Sequence, residues 1–229
     1  MTALRILLEV GTRRTFASAV DWPGWARSAR TPEQAIATLL DSAHRYAAVV
    51  DVATGLPAPR EEAESWAGSR PEDWQPAVVA ERPGTPGTEF GVPEAILDEE
   101  QVPPDPPAAE RIAALVSGAW AVLDAIAAAS PAELRKGPRG GGRDRDPMVA
   151  HVLGAEAGGY AKRLGLTLQE PGIGDVAAIA AERAAILEVL RSGEPLPNPR
   201  RKLWPVRYAG RRIAWHVLDH AWEMEDRRA

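Results

Sequence analysis

The sequence predicts an α+β N-terminal domain at residues 1–104, followed by an all-α four-helix bundle at residues 105–229. Apolar residues alternate with other residues near the start of the chain, which is typical of a strand, whereas later segments repeat them at helical spacing. A proline-rich stretch, EQVPPDPPA at residues 100–108, separates the two regions and is predicted to be an extended linker. The charge changes at the same place: 9 basic and 16 acidic residues precede residue 105, and 18 basic and 16 acidic residues follow it.

The first elements of the N-terminal half are predicted to be extended. Every second residue from Leu4 to Val10 is apolar, which indicates a half-buried strand. A turn at residues 11–14 leads to a second extended segment at residues 16–21. The sequence Trp22-Pro23-Gly24-Trp25 predicts another turn, because proline and glycine are adjacent in it. Further extended segments are expected at residues 77–81 and 88–97.

A helix is predicted to begin at Pro32. Thr31 can cap this helix, Pro32 suits its first position, and Gln34 completes the pattern of a capping box. Apolar residues then follow at helical spacing as far as Val50, so one continuous helix is expected.

Four more helices are predicted after the linker, near residues 108–129, 146–164, 175–191 and 208–228. Asp146 and Pro147 suit the cap and the first position of the second of these helices. Gly165 can end that helix and Gly193 can end the third. Four amphipathic helices with one long crossover connection favour a bundle.

The composition limits the functions that the chain can perform. There is no cysteine, so a metal site must use His, Asp, Glu, backbone groups or water. The net charge of −5 disfavours nucleic acid as the main partner. No unbroken apolar run approaches the ~18 residues of a membrane helix, and the first residues lack the features of a signal peptide. We therefore expect a cytoplasmic protein that acts on a small molecule without a membrane, with homo-oligomer formation left open.

Three of the four histidines lie in the helical half. His216 and His220 are four residues apart, so their rings leave the same face of the last helix, in line with Ile213 and Val217. His151 falls within the apolar stripe of the second helix. Neutral imidazole binds zinc, nickel, iron or copper, and three such ligands leave a position for water or substrate. The pattern therefore predicts a divalent-metal site.

This histidine pattern has alternative explanations. An i,i+4 pair can arise by chance among four histidines, and an inward histidine is often a hydrogen-bonded core residue. Metal binding is favoured because each buried imidazole would otherwise need polar partners. The residue after His216 is Val217 and not a glutamate, so the pair lacks the general base of a zincin protease.

Polar residues near the histidine pair are further candidates. Asp219 and Glu223 could each accept a ring N–H from a ligand histidine, or both could lie on a solvated face. Arg212, one turn before His216, could hold a substrate carboxylate beside the metal, or it could be a surface residue. Tyr160 lies about two and a half turns beyond the histidine of the second helix, too far along that helix to contact it.

Two short segments contain the three histidines: D-P-M-V-A-H, which ends at His151, and I-A-W-H-V-L-D-H, which ends at His220. Their placement resembles that of the DinB/YfiT-like superfamily over residues 108–229. The resemblance implies a four-helix bundle that binds a divalent metal, commonly zinc or nickel, through His151, His216 and His220. Characterised members are thiol transferases that use small thiols such as bacillithiol or mycothiol, or a mycothiol-dependent isomerase. A low-molecular-weight thiol is therefore an implied co-substrate.

The N-terminal half is similar, over a shorter stretch, to HicB-like domains. The matching residues are D-W-P-G-W at residues 21–25 and T-P-E-Q-A at residues 31–35, where a helix opens after two strands. HicB antitoxins bind a small RNase toxin, and many also have a separate DNA-binding module. No helix-turn-helix or ribbon-type arm is evident here, and a shared fold does not require a shared role.

Two hypotheses for the function follow. In the first, the protein is a divalent-metal-dependent enzyme of DinB/YfiT-like type, a small-thiol S-transferase in preference to a hydrolase, because the motif has no carboxylate base. In the second, the protein is a non-catalytic binding or sensing protein. Its HicB-like domain would recognise a partner, and its metal site would be structural.

Overall fold

The computed structural model describes residues 3–54, 75–137 and 142–228. An N-terminal four-stranded sheet is followed by helices, so the predicted mixed α+β class is confirmed. The strands are β1 (Ala3–Val10), β2 (Thr15–Ala19), β3 (Ala26–Ala29) and β4 (Gln75–Pro83). The helices are α1 (Pro32–Asp41), α2 (Ala43–Thr54), α3 (Pro86–Phe90), α4 (Pro106–Ala128), α5 (Arg145–Ala155), α6 (Val176–Ser192) and α7 (Val206–Arg227).

The strands lie in the order β3-β2-β1-β4, with β1 and β4 parallel and the other neighbours antiparallel. The short strand β3 was not predicted. The half-buried character predicted for β1 is wrong at Leu7 and Glu9, which are buried on its second face. The Glu9 carboxylate is buried there because it accepts hydrogen bonds from the backbone N–H groups of Glu94 and Ala95, at 2.9 and 2.8 Å. Buried charge is tolerated where such donors satisfy it.

The single helix expected after Thr31 is two helices, which meet at Ser42. Thr31 caps α1 by accepting a hydrogen bond from the backbone N–H of Gln34 at 3.3 Å. The Ser42 hydroxyl donates to the carbonyl of Leu39 at 2.7 Å and accepts from the indole of Trp25 at 3.0 Å. Serine competes in this way with the helical backbone hydrogen bonds, which explains the break.

The extended segment predicted at residues 88–97 is wrong at its start, because residues 88–90 belong to a short helix, α3, and residues 92–97 form no strand of the sheet. Thr85 and Thr88 form a reciprocal capping box at its start, and Pro86 occupies its first position. Gly91 ends it with a φ of 112°, in the left-handed region that glycine adopts readily. A 3₁₀ turn, Asp98–Gln101, then leads to the proline-rich connection.

The four later helices agree with the sequence prediction to within a few residues. Asp105 caps α4 and Asp175 caps α6, each through its side-chain carboxylate. Helix α5 differs, because it continues through a π-helical turn, Glu156–Tyr160, before a last turn at Ala161–Arg163. Such a turn inserts one residue into the helix and is frequent at functional sites.

The two halves share one core. Most of the described buried apolar residues of the sheet, of α1 and α2, and of α4 to α7 belong to one apolar cluster, and Phe16, Ala26 and Trp215 form a smaller second cluster. Gly118 of α4 approaches α2 so closely that a Cβ atom there would lie 2.6 Å from the carbonyl oxygen of Val49. At Gly24, with a φ of 93°, a Cβ atom would lie 2.8 Å from the Cβ atom of Ala214 on α7. The N-terminal half therefore packs directly on the helices that position the histidines.

Among the described residues, α4 is the one helix long and apolar enough to cross a membrane, although the sequence has no unbroken apolar run of that length. Of its most apolar 18-residue window, 56% is buried inside the protein. The helix contacts α2, α6 and α7. A core helix meets the same criterion of length and composition.

Candidate metal centre

Two helices bring the three predicted histidines together. His151 lies on α5, and His216 and His220 lie one turn apart on α7, which contacts α5. One potential ligand atom from each residue lies within 4.8 Å of the other two. Val152 and Val217, which are next to histidines in the sequence, are fully buried. The faces of α5 and α7 that carry the histidines therefore point into the protein interior. The convergence predicted from helical register is therefore confirmed.

The distances between the rings suit a small cation. The Nε2 atoms of His151 and His216 are 3.3 Å apart. A tetrahedral ion with nitrogen ligands at about 2.0–2.1 Å would hold neighbouring nitrogens about 3.3–3.4 Å apart. The three rings meet edge to face, with centroids 4.7 to 5.1 Å apart. The 3.3 Å between the two Nε2 atoms also suits an N–H···N hydrogen bond when one Nε2 carries the proton. In the tautomers that present both lone pairs, a cation between them relieves their repulsion, so these residues fit a metal ion.

The electrostatic surroundings keep the imidazoles of His151 and His216 neutral. Burial lowers the pKa of His216 to about 2, and the charges of His220 and Arg212 act in the same direction. Burial also lowers the pKa of His151, with a contribution from His220. Neutral imidazole has the free nitrogen lone pair that a metal requires. These two residues are therefore in the ligand-competent form at neutral pH.

Glu223, and not Asp219, is the carboxylate that hydrogen-bonds His220. The Nδ1–H of His220 donates to Oε2 of Glu223 at 3.3 Å, which leaves Nε2 of His220 for a metal. Arg227 in turn donates to Glu223 at 2.8 Å. Asp219 instead faces Arg27 of β3, at 3.9 Å. A carboxylate behind a ligand histidine fixes the ring orientation and the tautomer.

Tyr160 belongs to the site although the sequence reasoning did not include it. Its ring centroid lies 5.4 Å from that of His216. At about 100° per residue, nine positions would place Tyr160 on the side of α5 opposite His151, but the extra residue of the π turn reduces this rotation to about 80°. The adjacent glycines Gly158 and Gly159 were the sequence signal for an irregular turn.

Arg212 is next to the same group and is buried, which removes the alternative that it is a surface residue. Its guanidinium carbon lies 5.6 Å from the centre of the Tyr160 ring and 4.5 Å from that of Trp215. Burial raises the pKa of Tyr160, and the charge of Arg212 opposes that rise. A buried cation thus lies within electrostatic range of the histidine cluster.

A cavity of about 630 Å³ opens beside Glu223, between α7 and the N-terminal half. Arg27, Asp41 and Arg45 line one side of it, and Trp222 and Glu223 line the other. The Arg27 guanidinium stacks on the indole of Trp222 at 3.9 Å, and burial lowers the pKa of Arg27 to about 10. Both halves of the chain therefore line this cavity, which adjoins the histidine cluster through Glu223.

Comparison of the chain with protein-family models, with curated proteins and with solved structures found no match.

Proposed function

We propose that residues 105–229 form a DinB/YfiT-like four-helix bundle whose three-histidine cluster binds a divalent metal, zinc or nickel, at the active site of a small-thiol S-transferase. The observation that supports this most strongly is the convergence of the three rings, with Nε2 atoms of His151 and His216 3.3 Å apart. The HicB-like resemblance of the N-terminal half is part of the same proposal, with no antitoxin role attached to it.

Each residue of the cluster has a defined task in this proposal. His151, His216 and His220 hold the metal, and Glu223 keeps His220 in the tautomer that presents Nε2. A divalent ion held there lowers the pKa of a coordinated thiol or water and so supplies a nucleophile at neutral pH. Tyr160 covers one side of His216 and limits the access of water to it.

Thiol transfer is favoured over hydrolysis by the residues that surround the cluster. The position that follows His216 is Val217, which is fully buried and has no proton-accepting group. Glu223 is bonded to His220 and Arg227, so its carboxylate is already occupied. A thiol needs no such base, because its pKa of about 8.5 is already far below that of water and a bound metal would lower it further.

The test is turnover with a defined thiol and a defined electrophile. Protein freed of metal and then loaded with Zn²⁺ or Ni²⁺ is assayed with bacillithiol, mycothiol or cysteine as donor and monobromobimane as acceptor. We expect conjugation above the spontaneous rate, lost on chelation and in His216→Ala. An unchanged rate in His216→Ala would contradict the proposal. Metal binding without turnover, together with capture of a small protein partner, would favour the binding or sensing function.

A further inference from the structure

Arg212 is a buried cation one turn before His216 on α7. Arg212 is 8% exposed, and its Nη1 atom has no hydrogen-bond partner. Among the residues that the structure describes, no carboxylate forms an ion pair with it. Burying a charge without a partner is unfavourable, so a counter-charge is expected from outside the chain.

The preceding residue provides a direct contrast. Arg211 is also buried, but its Nε and Nη2 donate to the carboxylate of Glu100 at 2.7 and 2.9 Å. Its Nη2 also donates to the carbonyl of Ala95 at 2.7 Å. The fold therefore supplies a carboxylate partner to Arg211, and among the described residues it supplies none to Arg212.

Aromatic rings hold Arg212 beside the histidine cluster without occupying its Nη1. The Tyr160 ring lies against both the guanidinium and the ring of His216, at 5.6 and 5.4 Å. Trp215 lies against the guanidinium at 4.5 Å. Cation–π attraction stabilises the side chain in place, and the Tyr160 hydroxyl lies near enough to accept a hydrogen bond from the guanidinium, but Nη1 still has no partner. The guanidinium is thus positioned for an anion that comes from a ligand.

We propose that Arg212 binds the carboxylate of a substrate whose reacting end reaches the three-histidine cluster. This inference rests on the proposed metal-dependent function of that cluster. A planar carboxylate matches the geometry of a guanidinium, and one unpartnered buried cation suits a singly charged group better than a phosphate. Four residues along a helix span about 6 Å, so a short carbon chain can join the carboxylate to the reacting atom.

The test compares two thiols of equal size that differ in charge, 3-mercaptopropionate and 3-mercaptopropanamide. Each is titrated into cobalt-substituted protein, and the dissociation constant is read from the thiolate-to-cobalt absorption band. In the wild type we expect the acid to bind roughly tenfold or more tightly than the amide, because a charge-assisted hydrogen bond is lost with the amide. Arg212→Gln should abolish this preference, and Arg212→Lys should retain part of it.

Arg143→Gln is the matched control, because Arg143 is exposed and its charge acts on His151 and His216 only from a distance. This variant should keep most of the preference for the acid. The cobalt absorption spectrum reports that the centre is intact in every variant. If both thiols bind cobalt equally well, or Arg212→Gln keeps the preference, the carboxylate inference is wrong and the metal-dependent function stands. If the protein binds no cobalt, both proposals are wrong.

Discussion

At the scale of single residues, helical register and buried apolar neighbours hold the three histidines in one cluster. A spacing of four residues puts His216 and His220 on one face of α7, and apolar neighbours orient that face toward the interior. The same reasoning placed His151 on the inner face of α5. Register depends only on local geometry, so it is visible in the sequence.

The choice between Asp219 and Glu223 was not predictable in the same way. Both lie within one turn of His220, so either could reach its Nδ1 atom. What separates them is Arg27, which approaches Asp219 from β3, nearly 200 residues away in the chain. Contacts of this kind follow from tertiary packing, which the sequence pattern does not contain.

Glu223→Gln should weaken metal binding without removing it. A carboxylate that orients a ligand histidine typically contributes 10- to 100-fold to metal affinity, so we expect a loss of that order. Competition with a chelating dye measures the dissociation constant. Asp219→Asn, four residues earlier on α7, is the matched control, because the Asp219 charge acts on His220 without a hydrogen bond, and it should cause a smaller loss. Equal losses in the two variants would contradict the role assigned to Glu223.

At the scale of elements, one predicted start signal is confirmed, one is wrong, and the interruptions were missed. Thr31 caps α1 as predicted. The cap predicted at Asp146 is wrong, because α5 begins at Arg145 and the Asp146 side chain accepts a hydrogen bond from Arg145 within the first turn. The break at Ser42 depends on packing against another element, because the indole of Trp25 hydrogen-bonds the serine hydroxyl. The π turn after Ala155 had a local signal in Gly158 and Gly159, which the sequence prediction did not use.

The π turn encloses a carboxylate that the metal proposal does not use. Glu156 is fully buried and accepts a hydrogen bond from the indole of Trp120 on α4. Its Oε2 atom has no hydrogen-bond partner. Burial raises the pKa of Glu156 to about 8, so the folded protein keeps this proton at pH values where the unfolded chain has lost it.

The stability of the protein should therefore fall as the pH rises through this range. Between about pH 4.5 and pH 8 the folded state binds one more proton than the unfolded state at this position, which lowers the free energy of unfolding by up to about 1.4 kcal/mol per pH unit. Glu156→Gln keeps the acceptor for Trp120 and removes the titration. Urea unfolding at several pH values should give a flatter profile for this variant, and Glu133→Gln, at an exposed position, should match the wild type. An identical slope in Glu156→Gln would contradict this account.

At the scale of the whole molecule, the sequence predicted the order of strand-containing and helical regions but not their mutual packing. The proline-rich segment and the charge shift marked a boundary near residue 104. In the structure, the parts on either side of it form one apolar cluster, and Gly118 and Gly24 allow backbones of the two halves to touch. The only trace of such close contacts in the sequence is a single glycine at each of them. Single glycines form no periodic pattern, so the contacts could not be predicted from periodicity.

The ion pair between Arg211 and Glu100 should contribute strongly to this packing, because it joins α7 to the segment after β4. Both side chains are nearly inaccessible, at 5% and 6% exposed. Glu100→Gln leaves the guanidinium buried without its counter-charge, and we expect a loss of about 3–5 kcal/mol in the free energy of unfolding. Urea denaturation measures it. Glu99→Gln, which removes an exposed partner of Arg5, should cost at most about 1 kcal/mol, and a similar loss in both variants would contradict the assignment.

The central claim is that the three histidines hold one divalent metal, and the most direct test is the metal content of the untagged protein. Elemental analysis should find about one zinc or nickel ion per chain in the wild type, as expected for a site with three imidazole ligands. His151→Ala, His216→Ala and His220→Ala should each lose most of the metal, whereas His44→Ala, at an exposed position on α2, should retain it. A wild-type protein without stoichiometric metal, or a His216→Ala variant with full metal content, would contradict the claim.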